Sequence, residues 1–239
     1  MLETKTGVFL IAGLGFFGLA FLSNAVVPIM MYRHLPEQNI AQLVEHNGNL
    51  RYQFEDLARR FPDTFYTVYG RPPQETGAPE ADTARRKEWL RDKCQEALKL
   101  GHDVYVAEGC WHCHSQFVRP VSNEQRRWGP VPKTEEYQNV LQRPVLFGTR
   151  RVGPDLSREG GRRSNDWHAV HFFQPTLLSE GSPMPEYPWL FDGAPEKPNA
   201  RGLALITYIQ WLGSWLESYP YYEDYERSLI WDLEKGAKP

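Results

Sequence analysis

The chain has 239 residues, 41% of them hydrophobic, and its 27 basic and 30 acidic residues give a formal net charge of −3. This balance is typical of a globular chain, and the charges form no basic stripe of the kind that tracks phosphates, so we expect no nucleic-acid partner. Three cysteines are present and two of them share one motif, which excludes a disulfide framework.

The first predicted element is a segment without charges that runs from Gly7 to Met31. As a helix it would extend about 37 Å, enough to cross a bilayer. We therefore predict a transmembrane anchor over residues 1–34, although the few flanking charges do not decide its orientation. The alternative is a cleaved signal peptide, because residues 23–25 are small; the apolar run, however, is longer than the ~7 to 15 residues of a signal-peptide core.

The rest of the chain is predicted to be mostly α-helical with long loops. Residues 35–94 combine a linker with a helical extension, and apolar residues after Ala81 recur at roughly helical spacing up to Cys110. A further helix is predicted within residues 199–216, with one apolar side formed by Leu203, Ile206, Ile209 and Leu212. Residues 217–239 form an acidic, aromatic tail.

Cys110, Cys113 and His114 form the motif Cys-x-x-Cys-His. Two cysteines at this spacing match the two vinyl groups of a haem, and the histidine that follows then lies beneath the iron. Two other interpretations stay open. A zinc site would need two more ligands, and a thioredoxin-like dithiol would need a strand before the motif, where a helix is predicted.

A haem that transfers electrons needs a sixth ligand, usually methionine or histidine. Met184 is the only methionine of the soluble body, and Pro183 and Pro185 stiffen the loop that carries it. His168 and His171 are the alternative ligands, three residues apart on one predicted helical face. The haem interpretation therefore selects His114 and Met184 as the iron ligands.

Three segments resemble the membrane-anchored monohaem cytochrome c subunit, subunit II, of cbb3-type cytochrome c oxidases. They read "GHDVYVAEGCWHCHSQFVRP", "RRVGPDLSREGGRRSNDWHAVHF" and "PMPEYPWL", and the likeness covers the anchor and about residues 95–216. It implies a class I cytochrome c domain over 95–216, in which a helix with Gly101 and Tyr105 crosses the C-terminal helix around Tyr208 and Trp211. Phe117 departs from the family, which commonly has methionine there.

The resemblance also implies a site and its partners. The carbonyl of Pro154 would accept the Nδ1 proton of His114, and Leu156 would pack on one covalently bound haem c. Electrons would come from a dihaem cytochrome c subunit or a soluble cytochrome c, and would pass to the catalytic haem-copper subunit. The body would face the periplasm from the bacterial inner membrane, with the N-terminus in the cytoplasm.

Five arginines are candidates for pairing with haem propionates or with carboxylates of a partner, because a guanidinium group matches both. They are Arg119, Arg150, Arg151, Arg162 and Arg163. The alternative within the same class is the anchored monohaem subunit of another reductase, such as nitric oxide reductase. The alternative from a different class is a haem-free, membrane-tethered dithiol or zinc protein.

Overall fold

The structure is a computed structural model that describes residues 2–216, divided into two compact units between Glu37 and Gln38. The first unit is one apolar helical segment: helix α1 (Leu2–Phe21), a π-helical turn (Leu22–Val26) and helix α2 (Val27–Tyr32). Pro28 has no amide hydrogen for the carbonyl of Asn24, which accounts for a local break in the α-helical pattern at this point. The 28 residues Lys5–Tyr32 are long and apolar enough to cross a membrane, as predicted.

The second unit is built from helices joined by long loops. They are α3 (Ile40–Glu45), α4 (Gly48–Arg60), α5 (Pro62–Tyr69), α6 (Pro79–Ala107), α7 (Cys110–Cys113), α8 (Glu124–Trp128), α9 (Asn165–Phe173) and α10 (Ala200–Trp211). Between residues 2 and 216 isolated bridges occur but no β-strand. The prediction of a mostly helical fold with one N-terminal apolar helix is confirmed.

Polar side chains at the helix starts explain where several of these helices begin. The side chain of Asn39 accepts a hydrogen bond from the amide of Gln42, and the side chain of Gln42 accepts one from the amide of Asn39, which forms a capping box for α3. Ser164 caps α9 by accepting from the amide of Trp167, and Asn199 caps α10 in the same way through the amides of residues 201 and 202. Each cap satisfies amides that a helix start leaves without an internal partner.

The centre of the second unit is the crossing of α6 and α10. A Cβ on Gly101 would lie only 2.0 Å from the carbonyl oxygen of Ala204, so only glycine allows this approach. One turn further on, the rings of Tyr105 and Tyr208 lie 5.2 Å apart between centroids. The crossing expected from the resemblance is therefore present.

Helix α10 is buried more completely than its sequence pattern predicts. Instead of one apolar side, every residue from Gly202 to Trp211 is buried, because α4, α5, α6 and α9 all contact the helix. Its polar residues are satisfied inside the core: Thr207 bonds to the carbonyl of Leu203, and Gln210 bonds to Asn165.

The domain boundaries proposed from the sequence stay predictions. Helix α6 continues without interruption through the predicted boundary between residues 94 and 95. Helices α3 and α4, which lie in the predicted extension, pack against α6. The predicted tail, residues 217–239, lies outside the described residues.

Candidate functional site

The Cys-x-x-Cys-His motif lies where the chain leaves α6. Gly109 adopts a left-handed conformation with φ of 70°, which favours glycine and turns the chain into the short helix α7. His114 follows in an extended conformation. The chain therefore changes from helical to extended backbone at the histidine itself.

A second segment, residues 153–157, runs beside the motif and holds the ring of His114. The amide of Gly153 donates to the carbonyl of Cys113 at 3.0 Å, and the Nδ1 of His114 lies 2.9 Å from the carbonyl oxygen of Pro154. A carbonyl can only accept, so Nδ1 carries the proton and the lone pair is on Nε2. A Cβ on Gly153 would lie 2.4 Å from the Cε1 of His114, so the ring packs directly on the glycine backbone.

Burial favours the neutral form of two residues of the motif, His114 and Cys110. It lowers the pKa of His114, although the bond to Pro154 and the nearby Asp155 oppose this change. Burial also raises the pKa of Cys110 to about 12, with a further increase from Glu108. A redox-active dithiol needs a cysteine with a lowered pKa, so the environment of Cys110 does not support a thioredoxin-like function.

A cavity of about 470 Å³, part of it open to solvent, lies beside His114. Five of the six residues predicted for the site line it: Cys110, His114, Pro154, Leu156 and Met184. The sixth, Cys113, is exposed and is not among the lining residues.

The loop that carries Met184 is fixed to the rest of the site at several points. The amide of Tyr187 donates to the carbonyl of Phe172 in α9 at 2.9 Å, and the indole of Trp189 donates to Glu108, next to the motif, at 3.1 Å. Met184 itself packs against the hydrophobic core. The thioether of Met184 and the imidazole of His114 are thus held at one cavity by different parts of the chain.

These residues fit a haem. A thiol, a neutral imidazole whose Nδ1 is fixed by Pro154, and a thioether line one cavity, and its other walls are mainly apolar or aromatic: Tyr105, Trp167, Phe172, Leu205 and Ile209. The described residues contain no group of three or more His, Cys, Asp or Glu side chains that could hold a metal ion directly, so the zinc interpretation has no support there.

The helix α9 contributes both alternative ligands to the same cavity. Burial lowers the pKa of His168 to about 3 and that of His171 to about 4, so both rings are neutral at physiological pH. The His171 ring stacks on Trp167 with 4.5 Å between centroids. Both histidines therefore belong to the cavity wall, together with the predicted ligand Met184.

The structure separates the five candidate arginines. The guanidinium of Arg151 points into the protein, where it donates hydrogen bonds to Ser115, to the carbonyl of Phe117 and to Glu124. Arg162 lies 3.7 Å from Glu159, a buried carboxyl group of the cavity wall, and Arg163 stacks over Trp167. Arg119 and Arg150 are exposed. A role for any of them toward propionates or a partner stays a prediction.

Several wall residues were not predicted from the sequence. Leu205 and Ile209 come from the predicted C-terminal helix, where their spacing of four residues puts them on one face, so a signal for them was present. Glu159 gave no such signal, because nothing in its local sequence indicates burial. Its pKa is raised by burial to about 7, although Arg162 and Arg163 oppose this shift.

The comparison with known families found one match, which covers part of the chain. Residues 91–202 match the family described as cytochrome C oxidase, mono-heme subunit/FixO, a range that includes the motif, Pro154, α9 and the Met184 loop. The comparison with curated proteins found no match. The part of the chain that carries the motif and most of the cavity wall is therefore similar to the FixO family of monohaem subunits of cytochrome c oxidase.

Proposed function

We propose that this chain is the electron-transfer subunit of a cbb3-type haem-copper oxidase. The observation that carries the proposal is the arrangement at His114: its Nδ1 faces the carbonyl of Pro154 at 2.9 Å, and the residue shares one cavity with Met184. The family of residues 91–202 and the apolar segment Lys5–Tyr32 support it further.

The chain's own residues would hold one haem c. Cys110 and Cys113 would form the two thioether bonds, and His114 and Met184 would be the iron ligands. When bound, the haem supplies a centre that takes up and releases a single electron. Pro154 keeps the lone pair of His114 on Nε2, Leu156 and the aromatic wall residues exclude water, and a methionine ligand favours a higher potential than a second histidine.

The partners follow from this assignment. Electrons would enter from a dihaem cytochrome c subunit or a soluble cytochrome c and leave to the catalytic subunit, which alone would carry out the oxygen chemistry. Because haem c is attached outside the cytoplasmic membrane, the second unit would lie in the periplasm. The N-terminal helix would anchor the chain in the bacterial inner membrane, with the N-terminus in the cytoplasm.

A haem-stained denaturing gel of the purified full-length chain tests the proposal. The parent should give a stained band at the mass of the chain, and the double variant Cys110→Ala/Cys113→Ala should give none. Cys94→Ala is the matched control, because Cys94 is buried in the core and is not among the residues that line the cavity, so it should keep the stain. A parent chain without stain would exclude a covalent haem.

A further inference from the structure

The two segments that meet at His114 run parallel to each other and are joined by a backbone bridge. Ser115 and Asp155 are bridged, and the amide of Leu156 donates to the carbonyl of Ser115 at 2.8 Å. The residue after the histidine therefore lies beside the residue after Pro154. Next to the contact of His114 with Pro154, side chains also join the two segments.

The carboxylate of Asp155 is the centre of these side-chain contacts. Its side chain is fully buried, with an exposed fraction of 0%. The hydroxyl of Ser115 donates to it at 2.5 Å, and the amides of Phe117 and Ser157 donate to it at 2.9 Å each. A buried carboxylate with three donors is held firmly in one orientation.

Arg151 supplies the compensating charge. Its Nη2 lies 3.5 Å from the Asp155 carboxylate, and its Nε donates to the hydroxyl oxygen of Ser115 at 2.5 Å. The Ser115 hydroxyl thus donates a hydrogen bond to Asp155 and accepts one from Arg151. This occupies Ser115 inside the protein and explains the position of a polar residue directly after the histidine.

The network acts on His114 through the backbone. The carbonyl of Pro154 belongs to the peptide plane that ends at the Cα of Asp155, so a fixed Asp155 fixes the direction of that carbonyl. Pro154 has no amide hydrogen, so a hydrogen bond from its own backbone nitrogen cannot help to fix this carbonyl. We propose that Asp155, with Ser115 and Arg151, is a positioning residue that sets the hydrogen bond between His114 and Pro154 and thereby the reduction potential of the haem; this rests on the proposed function.

The expected direction follows from the chemistry of the imidazole. A well-aligned acceptor at Nδ1 makes the ring a stronger electron donor to iron and so favours the oxidised state. A looser bond should therefore raise the potential. Asp155→Asn loosens the bond and also removes a buried negative charge, which acts in the same direction, whereas Ser115→Ala loosens the bond without a change of charge.

The test measures the reduction potential of the full-length, haem-loaded chain by spectroelectrochemistry. Asp155→Asn should raise it most, and Ser115→Ala should raise it by less. The matched control is Glu136→Gln, since Glu136 is also a carboxylate paired with a buried arginine, Arg158, but bonds to neither His114 nor Pro154. This control should lose stability and keep the parent potential.

A second readout separates positioning from charge. The Nδ1 proton of His114, followed by NMR in the reduced protein, should exchange with solvent faster in Ser115→Ala than in the parent. If Ser115→Ala keeps both the parent potential and the parent exchange rate, the inference is wrong, whatever Asp155→Asn does. If Asp155→Asn takes up no haem, Ser115→Ala decides in the same way. A parent chain without haem would instead refute the proposed function.

Discussion

At the scale of single residues, burial decides which chemical state each group of the cavity adopts. His114, His168 and His171 all have lowered pKa values, with burial as the largest cause. All three are neutral imidazoles. The carbonyl of Pro154 fixes which nitrogen of His114 carries the proton, whereas the Nε2 of His168 and the Nδ1 of His171 are buried without a hydrogen-bond partner among the described residues. This difference supports His114 as the ligand that the protein has oriented in advance.

Met184→Ala tests whether Met184 is the second iron ligand. The variant should keep its covalent haem and lose the far-red sulfur–iron band of the oxidised spectrum, because no other methionine is among the described residues that line the cavity. Met30→Ala is the control, since Met30 belongs to α2 in the other unit, and should retain the band. A parent-like spectrum for Met184→Ala would transfer the sixth position to another wall residue, with His168 and His171 as candidates.

Glu159 makes stability depend on pH. Its pKa in the fold is about 7 instead of the ordinary 4.5, so the folded chain keeps a proton that the unfolded chain releases, and stability falls as pH rises from about 4.5 to about 7. Glu159→Gln removes this loss. At pH 8 the variant should therefore be more stable than the parent, by a free energy of unfolding on the order of 3 kcal/mol.

Denaturant unfolding at pH 5 and pH 8 checks this prediction. The advantage of Glu159→Gln should shrink strongly at pH 5, where the parent carboxyl is protonated in the fold. Glu180→Gln changes an exposed carboxylate and should leave stability nearly unchanged at both pH values. An equal advantage at pH 5 and pH 8 would contradict the burial cost assigned to Glu159.

At the scale of secondary-structure elements, the close crossing of α6 and α10 shapes the cavity. Tyr105 on α6 and Leu205 on α10 both line the cavity, and both lie within about one turn of the crossing point at Gly101 and Ala204. Any change that separates the two helices therefore changes the cavity wall as well. Packing and function are coupled at this crossing.

Gly101→Ala should weaken both. The added Cβ would lie 2.0 Å from the Ala204 carbonyl oxygen and 2.7 Å from the Cβ of Tyr208, so the helices must separate, at a cost of about 1–3 kcal/mol or more. We expect a lower thermal midpoint and a lower haem content. Gly48→Ala in α4 meets only one side-chain atom, at 3.9 Å, and should change neither quantity. Equal stability of the two variants would refute the close crossing.

At the scale of the whole molecule, the described residues divide into an apolar helical unit and a larger helical unit. The most apolar part of Lys5–Tyr32 is not buried by other described residues, so its side chains need an apolar environment from elsewhere. A bilayer provides it, and a cleaved leader is the other explanation.

The N-terminus of the mature chain separates these explanations. If the segment is an anchor, mass spectrometry of the purified chain should find residues 1–34 intact, and alkaline carbonate should leave the chain in the membrane fraction. Replacement of residues 1–34 by a cleavable signal peptide should then release a soluble, haem-containing body into the periplasm. A mature chain that begins near Val26 would overturn the anchor.

The sequence alone determined the features that depend on short spacing or on composition. An uncharged run of sufficient length, the spacing of Cys110, Cys113 and His114, and a single methionine in the soluble body do not need a fold to be recognised. Helix starts at Asn39, Ser164 and Asn199 are local in the same sense, because a cap involves only the next two or three residues.

Only the tertiary structure decided the features that join distant parts of the chain. Ser115 and Asp155 are 40 residues apart, and no local pattern states that they meet. The contact of His114 with Pro154 spans the same separation and is expected from the family resemblance, not from any local pattern. The burial of α10 on all sides and the raised pKa of Glu159 have the same origin. Burial is a property of everything packed around a group, and hydrogen bonds between segments depend on how those segments pack, so neither is encoded in the spacing of neighbouring residues.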